Sequence, residues 1–73
     1  MGTNNTEAEA TFKFVVGATT GTKTVGAKSP NGKSDDDWKI SLALDAGRAL
    51  SEEHNTGLSA IALSLVAFKA STP

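Results

Sequence analysis

The sequence predicts a small β-rich domain, all-β or α+β, built on an antiparallel sheet of about four strands with at most a short helix. Three observations carry that expectation. Apolar and polar residues alternate through Phe12, Lys13 and Phe14, and again from Trp38 to Asp45. Breaks rich in Gly, Asn and Pro divide these runs into short pieces, as turns do between strands. At 73 residues the chain holds one domain at most, with no room for a two-lobed enzyme or a nucleotide-binding α/β sheet.

Residues 1–8 are small, polar and acidic without periodicity, and are expected to form a disordered arm before a single domain over 9–70. From Glu9 to Val16 the period is 2, with Phe12, Phe14 and Val16 on one face, which predicts a half-buried strand over 9–16. Gly17 to Gly21 reads as a loop. Thr22 to Lys28 is mostly polar and predicts a second strand at a sheet edge, where Lys23 and Lys28 would discourage pairing with other chains. Ser29-Pro30-Asn31-Gly32 carries strong turn chemistry. Trp38, Ile40, Leu42 and Leu44 then alternate with Lys39, Ser41, Ala43 and Asp45, predicting a third strand over 38–45.

Residues 45–53 are expected to form one or two helical turns, weakened by Gly47. His54 to Gly57 breaks the chain. Leu58 to Phe68 fits either a strand or a helix by periodicity, and the preceding glycine and strand-like segments favour a strand over 58–68. Ile61, Leu63 and Leu65 would then face the core. The opposite face, with Ala60, Ala62, Ser64, Val66 and Phe68, is expected to be an interaction surface, joined by Trp38 as a possible anchor.

Composition narrows function by exclusion. The chain has no cysteine and a net charge of −1, which removes disulfide scaffolds, thiol nucleophiles and cysteine-based zinc sites. A dedicated nucleic-acid binder would be clearly basic, so such a partner is not expected. The first ten residues lack the basic and apolar regions of a signal peptide. The uncharged run from Asn55 to Phe68 is shorter than the roughly 20 residues a spanning helix needs. A soluble protein without a membrane span is expected, its compartment unassigned.

Chemistry-bearing motifs are weak. Residues 27–34 (AKSPNGKS) match a phosphate loop with alanine in place of its first glycine, but Pro30 removes an amide donor that a phosphate cradle uses. Asp35, Asp36 and Asp37 resemble the start of an EF-hand loop, yet Ile40 and Ala46 stand where that loop needs glycine and glutamate. His54 is the sole histidine and lies beside Ser51, Glu52 and Glu53 on one short segment, which cannot converge as a catalytic triad does. No catalytic residue, metal ligand or cofactor site is expected.

A core this small gains from docking against something else. The expectation is therefore a non-enzymatic structural or interaction protein that acts through β surfaces and self-assembles, as a virion, fibre or small assembly component. A monomeric adaptor or inhibitor docking on a larger protein is the alternative, and a phosphate or nucleotide binder through residues 27–34 is the third reading.

Overall fold

The computed structural model describes residues 7–28 and 34–71. Strand β1 (Glu7–Val16) and strand β2 (Thr19–Lys28) form a hairpin. Helix α1 (Asp35–His54) follows, then a single 3-10 turn (Leu58–Ala60) and strand β3 (Ile61–Ser71). The sheet is antiparallel in the order β2-β1-β3. The class is β-rich, with three strands and one helix where four strands and a short helix were expected.

β1 begins at Glu7, two residues before the expected start, and Ala8 is already buried. Residues 1–6 of the expected arm lie outside the described residues. The hairpin turn is also tighter than expected. Gly17 takes a positive φ of 60°, a conformation glycine adopts without steric cost, so Thr19 to Gly21 join β2 and pair with Val16, Val15 and Phe14. The turn expected at residues 29–32 lies outside the described residues.

The main correction concerns residues 38–45, which are helix and not strand. Ser34 is the N-cap, its Oγ accepting from the Asp37 backbone N–H at 3.2 Å. Asp35, Asp36 and Asp37 occupy the first turn, where carboxylates complement the helix dipole. Trp38, Leu42, Ala46 and Leu50 recur every fourth residue and are all buried, so one helical stripe reaches the sheet. The strand-like alternation ends at Asp45, whereas this stripe runs on to the last turn. Asn55 closes the helix in the left-handed conformation at φ 51°, its backbone N–H donating to the Glu52 and Ser51 carbonyls. Thr56 N–H donates to the Ser51 carbonyl at 3.1 Å, and the Ser51 hydroxyl donates to the Thr56 carbonyl. The turn that breaks the chain thus folds back onto the helix end.

α1 lies across one face of the sheet. Ala8, Ala10 and Phe12 of β1 meet Trp38, Leu42 and Ala46, with Val25, Ala43, Leu63 and Phe68 around them. Phe14 spreads under Gly21 of β2, where an added Cβ would come within 3.0 Å of the ring. Lys23, opposite Phe12 in the ladder, reaches up to pair with Glu53 of the helix.

Candidate interaction surface

The three-stranded sheet has two edges, each a row of backbone donors and acceptors with no neighbouring strand among the described residues. The edge on β2 (TTGTKTVGAK) is interrupted by Gly21, Lys23, Gly26 and Lys28. The edge on β3 (IALSLVAFKAS) carries no charge before Lys69. The strand expected over 58–68 is therefore present over Ile61–Ser71, its first three residues forming the 3-10 turn instead.

β3 contains a register shift. Thr11 stands opposite Ala67, while the next residue, Phe12, stands opposite Leu65. Val66 is the extra residue, and one extra residue reverses the parity of side chains beyond it. Leu63 and Leu65, opposite Phe14 and Phe12, point to the helix side. After the bulge, Phe68 opposite Ala10 does so as well. The segment is apolar in both parities because its second half is displaced by one residue.

This displacement redistributes the six residues expected to share one surface. Ala62 and Ser64, opposite Val15 and Lys13, lie on the open face of the sheet and are exposed. Val66 is exposed at the bulge, and Ala60 in the 3-10 turn. Phe68 is half-buried under the helix, where its ring meets Trp38 edge-on at 5.9 Å with Lys39 Nζ 5.1 Å above it. Trp38 is only 3% exposed. Its indole Nε1 is buried without a hydrogen-bond partner among the described residues. Trp38 and Phe68 are thus core residues, leaving Ala60, Ala62, Ser64 and Val66 outward.

The open face is polar across its middle. Thr11 and Thr24 share a hydroxyl hydrogen bond of 3.0 Å. Lys13 stands between Thr22 and Ser64, and Glu9 stands between Gly26 and Lys69. Covering this face with a second sheet would bury the Lys13 ammonium, which costs several kcal/mol without a partner.

The apolar surface left over lies at the β3 side of the helix. Ile40 is 68% exposed, and Leu44 and Leu58 are about half exposed. A Cβ added at Gly47 would meet Leu58 Cδ2 at 3.3 Å and Leu63 Cδ1 at 3.9 Å. The helix flank bearing Ala43 and Gly47 therefore faces β3 and the 3-10 turn. Ile40 and Leu44 each lie three residues before Ala43 and Gly47 respectively and form the next row outward. Leu65, expected in the core, is 44% exposed at the same edge. These residues were invisible as surface in the sequence because the strand assignment placed Ile40 and Leu44 in the core.

The remaining candidates do not converge. The His54 ring is tilted against Phe14 at 5.8 Å, at the helix end away from the three aspartates. No cluster of three or more His, Asp or Glu able to hold a metal occurs among the described residues. Of the phosphate-loop match, residues 29–33 lie outside the described residues, and the Ser34 hydroxyl serves as the helix cap. No described helix is long and apolar enough to cross a membrane. No family model, curated protein or solved structure matches the chain.

Proposed function

We propose that this protein is a non-enzymatic structural or interaction module that acts through β surfaces and assembles with copies of itself, as a component of a virion, a fibre or a small assembly. The observation that carries the reading is the contrast between the two sheet edges. β2 has the lysines and glycines that discourage pairing, while β3 keeps an uncharged edge from Ile61 to Phe68 beside exposed Ile40, Leu44, Leu58 and Leu65. An edge of that kind favours strand addition.

The same edge suits the second reading, a monomeric adaptor or inhibitor that accepts an extended segment of a larger protein. The third reading, an anion site through residues 27–34, gains a helix N-terminus behind the loop. It is opposed by Asp35, Asp36 and Asp37, whose carboxylates fill the first turn.

Light scattering separates the first two readings. Assembly predicts a molar mass that is a multiple of 7.5 kDa at micromolar concentration and falls on dilution. A mass that stays at one chain throughout overturns self-assembly and leaves the adaptor.

A further inference from the structure

We infer that a second copy of this chain pairs with the free edge of β3, antiparallel and about a two-fold axis near Ser64, giving one continuous six-stranded sheet with both helices on the same face. The inference rests on the self-assembly reading and goes beyond it by naming the contact and its symmetry. A two-fold contact must be complementary to itself, and β3 meets this condition from Ala62 to Val66, where the bulge ends the matched parity. Around Ser64 it places Leu63 of one copy opposite Leu65 of the other on the helix side. On the open side it places Ser64 opposite Ser64, both small and uncharged.

Charge supports the antiparallel sense. Lys69 is the one charged residue in β3. Pairing about Ser64 sets the two Lys69 side chains roughly 30 Å apart at a strand rise of about 3.3 Å per residue, well beyond the screening length of about 8 Å. Parallel in-register pairing would stack them.

The area also fits. The exposed parts of Ile40, Leu44, Leu58, Leu65 and Val66 amount to roughly 400 Å² per copy, about half of the ~800 Å² each partner of a standard interface buries. The backbone edge and flanking side chains of the strand supply the rest. With each helix centred over its own β1, the two axes would stand about 14 Å apart, three inter-strand spacings. Directly packed helices stand about 8–10 Å apart. Leu65, Leu44 and Ile40 from both copies lie where that extra width must be filled.

The absence of cysteine makes the test clean. Ser64→Cys, Thr22→Cys and Lys13→Cys place single thiols at the axis, on the opposite half of the sheet and at the centre of the open face. Under mild oxidation, Ser64→Cys should form a disulfide-linked dimer, because directly opposed strand residues bring their Cβ atoms within disulfide reach. The other two variants should remain single chains. Adding Leu65→Lys or Ile40→Lys to Ser64→Cys should cut the cross-linked fraction about tenfold or more while the circular dichroism spectrum stays unchanged. Both sites are exposed in the single chain, so either variant serves if the other fails to fold. If Thr22→Cys or Lys13→Cys links and Ser64→Cys does not, the edge pairing is wrong while self-assembly stands. If none links and the molar mass is that of one chain, both are wrong.

Discussion

Leu42 and Ile40 are two residues apart, and the helix sends them to opposite environments. Leu42 is 1% exposed against β1, whereas Ile40 faces outward. Leu42→Ala should destabilise the fold by about 2–5 kcal/mol, the range for truncating a large core side chain. Ile40→Lys should change the stability of the single chain by less than about 0.5 kcal/mol. Denaturant titrations of the two variants check this directly. Comparable losses would restore a strand in which both residues share the core face. Gly47 gives a second test at the same scale. A methyl there presses on Leu58 Cδ2, the far end of a half-exposed side chain free to shift. The removed glycine is worth up to about 1 kcal/mol in a helix interior. Gly47→Ala should therefore raise the denaturation midpoint, and a fall would mean that the 3-10 turn is held more rigidly than its exposure implies.

The elements differ in how openly the sequence declares them, and the reason is physical. β1 was legible because Phe12 and Phe14 alternate with Thr11 and Lys13 over a face that is in fact half-buried. β2 was legible as an edge because Lys23 and Lys28 have that effect wherever an edge occurs. The helix was hidden by Ile40 and Leu44, two apolar residues left on its outer side. Together with Trp38 and Leu42 they reproduce a strand's alternation. The signals that outweigh it are Ser34 three residues before Asp37, a capping pattern, and the fourfold spacing from Trp38 to Leu50. In β3, strand or helix stayed open because Val66 shifts the apolar parity midway. A bulge is a property of pairing with β1, and a single strand does not reveal it. Deleting Val66 would remove the bulge and still leave Leu65 opposite Phe12 and Phe68 opposite Ala10, both on the helix side. That deletion should therefore be tolerated to within about 1–2 kcal/mol, and calorimetry should show a Tm within several degrees of the parent. A much lower Tm would mean that the bend of the bulged strand itself is needed to seat Phe68 against Trp38.

For the whole molecule, the decisive fact is the smallness of the covered core. Among the described residues, Leu42 and Leu50 are the large side chains that are fully enclosed, and Phe12, Phe14, Trp38 and the small Ala8, Ala10 and Ala46 complete the buried core. Val15, Ile40, Leu44, Leu58, Leu65 and Val66 remain exposed. Small domains without disulfides gain stability from whatever covers such residues, so the proposed assembly predicts that association and folding are linked by mass action. The sequence led to the expectation of a covering partner on the open face of the closing strand. The contact proposed above lies instead at the edge of β3 and the adjoining helix flank, since the open face carries Lys13 at its centre. Amide hydrogen exchange, measured as a function of protein concentration, tests this account most directly. Alternate amides of Ile61 to Leu65, which point away from β1, should slow markedly as concentration rises into the micromolar range, while outward amides of Thr20 to Lys28 should not change. Concentration-independent exchange along β3, or new protection appearing on β2 instead, would contradict pairing at this edge.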